Sequence, residues 1–149
     1  MKINFINHAC IQISTKNYSL LVDPWFSGKV FNSSWGLLKE TDESDLDLSS
    51  LKYILVSHEH PDHLNFDTLK KIFQIKPDLT FIFPFRKDDT IKKVIEKIGF
   101  KFHFIRQNTE KYNIDEINFI KYFSNDNEGD HTILLSIDNK VIVNQNDDL

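Results

Sequence analysis

The chain has 149 residues, a net charge of −4 and a single cysteine. Its length makes one domain, and 40% hydrophobic with 27% charged residues is the balance of a soluble globular protein. The mild acidity gives no footing for nucleic acid or an anionic membrane, no apolar run spans a bilayer, and a lone cysteine with a polar N-terminus points to a reducing, cytoplasmic setting.

Residues 2–6 and 10–14 alternate apolar and polar positions, which predicts two strands. Ser14-Thr15-Lys16-Asn17 reads as a hairpin loop, and Tyr18-Ser19-Leu20-Leu21-Val22 as the return strand that delivers Asp23-Pro24. An acidic residue at that strand end is either a turn former or a partner that orients a metal-ligating histidine. Residues 24–50 read as one long irregular segment carrying Trp25, Phe26, Phe31 and Trp35. Such loops are usually functional or disordered. The aromatics argue for order, either packed over the core or lining a substrate pocket.

Tyr53-Ile54-Leu55-Val56 is an apolar run that predicts a buried strand, and Ser57-His58-Glu59-His60-Pro61-Asp62-His63 follows it directly. His58 and His60 are two apart, so an extended backbone points both rings to one side. Pro61 turns the chain, which lets Asp62 and His63 face a neighbouring position. Imidazole with carboxylate suits zinc, iron or manganese. A structural zinc site is normally closed by thiolates, so with one cysteine an open, catalytic type of site is expected.

Leu69, Ile72 and Phe73 recur at helical spacing over residues 66–75. Leu79 to Phe83 is a further strand. Asp88 or Asp89 caps a second helix with Ile91, Val94, Ile95 and Ile98 on one face, and Gly99 closes it. Residues 100–105 and 117–123 predict strands, with His103 an exposed strand position. His131 precedes the strand Ile133 to Ile137, Asp138-Asn139 makes a tight turn, and the strand Lys140 to Val143 runs out toward Asp147.

The His-x-His-x-Asp-His run after an apolar strand, with Asp23 upstream and His131 and Asp147 downstream, resembles the metallo-β-lactamase superfamily. Asp23-Pro24-Trp25-Phe26-Ser27-Gly28 with Phe31 and Trp35 is similar to the metallo-β-lactamase-like domain of the CMP-N-acetylneuraminate hydroxylase group. Asn7-His8-Ala9 looks like the Gly-His-Ala/Ser turn of lactonase and phospholipase D-like members. The resemblance implies an αββα sandwich. With the chain stopping two residues after Asp147, only its N-terminal half is expected: a mixed sheet with helices on one face, as a single partial domain over 1–149.

The resemblance also implies His58, His60 and His131 at one metal, Asp62 and His63 at a second, and Asp147 as a bridge. Asp23, His8, Trp25 and Trp35 would stand around them. The function so implied is a hydrolase of a small-molecule ester, lactone or phosphodiester. It would use a metal-bound hydroxide on one or two zinc ions, with iron or manganese as alternatives, and Asp62 orienting the nucleophile. A catalytically inactive metal-binding or interaction module and a di-iron oxidoreductase-type site stay open beside it. One cysteine cannot build the Rieske cluster of the hydroxylase proper. A sheet without its partner sheet leaves an apolar face in water, so a homodimer or partner chain is expected to cover it.

Overall fold

The structure, a computed structural model, describes residues 1–105, 112–114, 117–123 and 132–145. Three strands open the chain, β1 (Lys2–Asn7), β2 (Cys10–Ser14) and β3 (Ser19–Val22). The segment expected to be irregular holds a two-stranded ribbon, β4 (Lys29–Val30) with β5 (Trp35–Gly36), and a short 3₁₀ turn at Glu43–Asp45. Phe31, Asn32 and Ser33, all left-handed at φ of 50°, 53° and 67°, make the turn between β4 and β5. Then follow β6 (Leu51–Leu55), α1 (Phe66–Ile75), β7 (Thr80–Pro84), α2 (Thr90–Ile98) and β8 (Lys101–Ile105). The last strands are β9 (Tyr112–Ile114), β10 (Ile117–Phe123), β11 (Thr132–Ile137) and β12 (Lys140–Asn144).

The first sheet runs β1-β2-β3-β6-β7-β8, antiparallel among its first three strands and parallel from β3 onward. Parallel neighbours need crossovers, and α1 and α2 supply two of them. Strands buried on both faces need no alternation, and all four residues of β3 are buried. Leu21, Ile54, Phe81 and Phe83 pack toward Leu69, Ile72 and Ile95 of the helices. Leu20, Val22, Tyr53, Leu55 and Ile82 face the other way, onto Ile117, Ile133, Leu135 and Ile137.

Those last residues belong to a second, antiparallel sheet ordered β12-β11-β10-β9. The layers are therefore helices, mixed sheet and antiparallel sheet, three of the four in an αββα sandwich. This corrects the expectation of a bare inner sheet face, because the chain folds its own later hairpins over it. Large apolar residues in water lie elsewhere. Ile3 and Phe5 stand on edge strand β1, and Val141 and Val143 on β12, with Val143 60% exposed. His103 on β8 is half-buried rather than exposed and sits opposite Ile82 in register.

Local chemistry sets the helix ends. Asn65 caps α1 by accepting from Thr68 N at 3.0 Å. At α2 the Asp88 carboxylate takes Thr90 N at 3.1 Å, while Asp89 holds the N-cap position without a side-chain bond. Gly99 ends α2 at φ +117°, where only glycine is unstrained. Among the described residues no helix is long and apolar enough to cross a membrane.

Candidate metal centre

Strand topology gathers the site. β3 and β6 are parallel neighbours, so their C-terminal ends lie side by side, the edge where ligands bind in layered α/β sheets. Asp23 leaves β3 and donates its backbone N–H to Leu55 O at 2.9 Å. Ser57 and His58 leave the adjacent β6. Because β2 runs antiparallel to β3, the turn His8-Ala9 that precedes β2 falls at the same edge. Beyond His60 the chain reverses tightly, with His63 N and Leu64 N both bonded to His60 O at 2.9 and 2.7 Å.

Asp23 is buried and anchors this loop. Its Oδ1 accepts from Ser57 N at 2.7 Å and its Oδ2 from Ser57 Oγ at 2.9 Å. The same Oδ2 lies 3.1 Å from Nδ1 of His63, an ion-pair distance, although the N–H is not aligned for a hydrogen bond. Ser57 Oγ is also 3.0 Å from Nδ1 of His58. A hydroxyl has one proton to give. With that proton on Asp23, Oγ accepts from His58 Nδ1–H and leaves His58 Nε2 with its lone pair. That nitrogen faces His60 Nδ1 at 2.8 Å.

A second group stands beside this pair. His8 Nε2 meets Asp62 Oδ2 at 2.8 Å, and His63 Nε2 lies 3.5 Å from the same oxygen. One donor atom from each of His8, Asp62 and His63 falls within 4.8 Å of the others. The rings of His58 and His63 are 4.1 Å apart between centroids, so the two groups adjoin.

Aromatic side chains wall the site. Trp25 is buried, fixed by Nε1 donating to Ser27 O at 3.0 Å, and meets the His8 ring edge-on at 5.5 Å. Trp35, half-exposed, also meets His8 edge-on at 6.3 Å and packs on Phe31, which itself contacts His60. The loop carrying them is tied down by Phe26 N on Thr68 Oγ1 and Thr41 N on Phe26 O. A cleft of about 920 Å³ opens beside His8, lined by Phe5, Trp25, Trp35, Leu38, Lys39 and Glu40 among others.

The donor set fits a transition-metal cation. Asp62 is 2% exposed, and its Oδ1 is buried with no hydrogen-bond partner among the described residues. A carboxylate so placed is costly unless a cation offsets it. Neutral imidazole nitrogens and carboxylate oxygen are the donors that zinc, iron and manganese take. Of the residues expected from sequence, the structure brings together Asp23, His58, His60, Asp62, His63, His8, Trp25 and Trp35. His131 and Asp147 lie outside the described residues. Sequence reasoning gave no role to Ser57, although a hydroxyl directly before His58 was visible. It placed His8 only near the pocket, because a contact across 54 residues of chain leaves no local signal.

A mixed sheet with a His/Asp cluster at the carboxyl ends of its central strands defines a metallo-β-lactamase-fold protein. A family profile described as "Beta-lactamase superfamily domain" matches residues 2–139, and the chain belongs to that family. It is 38% identical over 80 residues to a cytidine monophosphate-N-acetylneuraminic acid hydroxylase from Asterias rubens, covering 53% of this chain and 12% of that protein. The Mus musculus hydroxylase is 35% identical over 80 residues, covering 53% and 14%. The chain therefore spans only about an eighth of the length of these relatives.

Two solved structures share the fold. A possible metal-dependent hydrolase from Veillonella parvula DSM 2008 superposes with a TM-score of 0.65 at 18% identity, over 95% of this chain and 60% of the other. An isothiocyanate hydrolase from Delia radicum gut bacteria gives 0.63 at 17% identity, over 96% and 60%.

Proposed function

We propose that the chain carries the catalytic face of a metal-dependent hydrolase acting on a small-molecule ester, lactone or phosphodiester. One observation carries this reading: a fully buried Asp62 with an uncommitted oxygen stands among four imidazoles at the carboxyl edge of the sheet. His58 and His60 hold one cation position, and Asp62 with His63 the next. A zinc-class ion bound there supplies Lewis acidity and lowers the pKa of water to about 7. Asp23 and Ser57 fix the ring orientations of His58 and His63, so the donors need little rearrangement. Asp62 Oδ1 has lone pairs free to accept a hydrogen of the attacking water. Trp25 and Trp35 exclude bulk water and offer flat apolar surface to the substrate.

A second reading makes the chain a metal-binding module without hydrolytic activity, and a di-iron oxidoreductase-type site stands beside it, since the curated relatives are called hydroxylases. Metal analysis of purified protein, with turnover of a generic phosphodiester and a lactone, separates them. Zinc or manganese with turnover supports the hydrolase. Metal without hydrolysis supports the module, and iron in that case the oxidoreductase-type site. His58→Ala is expected to abolish hydrolysis and cut metal content while leaving the fold intact, and full metal content in that variant defeats all of these readings.

A further inference from the structure

We propose that His8 is itself a ligand, completing through Nε2 the cation position formed by Asp62 and His63. This rests on the metal-dependent reading above. Donor atoms bonded at about 2.0–2.1 Å to one tetrahedral ion lie about 3.3 Å apart. The separations from Asp62 Oδ2, 2.8 Å to His8 Nε2 and 3.5 Å to His63 Nε2, straddle that value. A His8–Asp62 ion pair alone would account for the shorter contact. It does not by itself bring a third donor, His63 Nε2, to the same oxygen, as a shared cation does.

The way His8 is held points the same way. It sits in the left-handed region at φ 41°, a conformation costly for a residue with a side chain. Its ring meets Trp25 and Trp35 edge-on, at 5.5 and 6.3 Å between centroids, so aromatic contacts as well as Asp62 hold it at the site. A site is thus assembled from two distant stretches, the first hairpin turn and the loop after β6. Closing it needs the β1–β2 turn in place, which couples folding of the sheet edge to metal binding.

The test is cobalt(II) titration of the full chain with visible absorption, comparing wild type with His8→Asn and His8→Cys. Asparagine tolerates the left-handed turn and removes the imidazole. Wild type is expected to take up two equivalents. His8→Asn should weaken one of them at least ten- to hundred-fold and lower the d–d absorption, the other equivalent being unchanged. His8→Cys should add a thiolate-to-cobalt charge-transfer band, absent from wild type because Cys10 is buried away from solvent. If His8→Asn keeps both equivalents at wild-type affinity, His8 is only an ion-pair partner, and the metal-dependent reading survives without it. If His8→Asn does not fold, the His8→Cys band decides, its absence overturning the assignment. Wild type that binds no cobalt sinks this inference and the hydrolase reading together.

Discussion

Asp23 Oδ2 lies 3.1 Å from His63 Nδ1 and, through the hydroxyl of Ser57, also governs His58. One buried carboxylate thus orients a histidine at each of the two proposed cation positions. Replacing it by Asn keeps the shape and removes the charge, so Asp23→Asn is expected to lower metal affinity about 10- to 100-fold at both positions. Ser57→Ala should weaken only the position of His58 and His60. Chelator-competition titrations of the two variants make the comparison, and equal losses at both positions in Ser57→Ala would contradict the relay. Asp23→Ala should also lower thermal stability, since it strands the buried Ser57 N–H at a cost of about 1–3 kcal/mol.

The fold was legible where the chain obeys simple periods. Leu69, Ile72 and Phe73 announced α1, and Tyr53 to Val56 announced the buried strand before the histidines. The second sheet's packing was not legible, because alternation in Ile133 to Ile137 gives a buried face without naming the surface it meets. Gln12 shows the same limit. It reads as an outward polar position of β2, yet it is fully buried and clamps the backbone of Asp47, donating to its O at 2.7 Å and accepting from its N at 3.0 Å. In the site, the His58 to His63 run was local and could be read directly. His8 joins it only through tertiary structure.

Gly99 closes α2 with its α-carbon against the ring of Phe73, where an added methyl would overlap the ring. Gly99→Ala therefore meets both a disallowed backbone region and a clash in the helix layer. The expected loss is about 2–4 kcal/mol, with metal affinity unchanged because the site lies at the opposite end of the parallel strands. Urea melts of the two proteins check it, and a loss below about 0.5 kcal/mol would show that Phe73 swings away freely.

Cys10 is fully buried, and burial, reinforced by the nearby Asp23 charge, pushes its thiol well above the ordinary cysteine range. A thiol held neutral is a poor nucleophile. At pH 8 the folded chain should not react with a thiol-selective disulfide reagent within an hour. One equivalent should react once urea unfolds it. Rapid labelling of the native protein would mean that the β1–β2 edge opens readily.

Asp47 contributes to the acid dependence of the loop. Hydroxyl donation from Ser49 and Ser50 holds its carboxyl below the usual range. A group whose folded pKa is lowered stabilises the fold above its unfolded pKa of about 3.9, and that contribution is lost as pH falls through the folded value. Asp47→Asn should melt below wild type at pH 6, with the gap closing as the pH drops below about 4. A gap that is constant between pH 6 and 3 rules the carboxylate out as its source.

Asp62 sets opposite expectations with and without metal. In the metal-free chain its buried charge is met only partly, by His8 and His63, so Asp62→Asn relieves an uncompensated oxygen and should melt within about 1 kcal/mol of wild type. Zinc binds the folded state, and at a free concentration of 100 times Kd it adds about 2.7 kcal/mol to wild-type stability. The variant has lost the anionic donor and should gain far less under the same conditions. Melting both proteins in chelator and then in buffered zinc reads this crossing directly. Parallel gains in the two would mean that the cation is held without Asp62, and the carboxylate's burial would then need a purely structural cause.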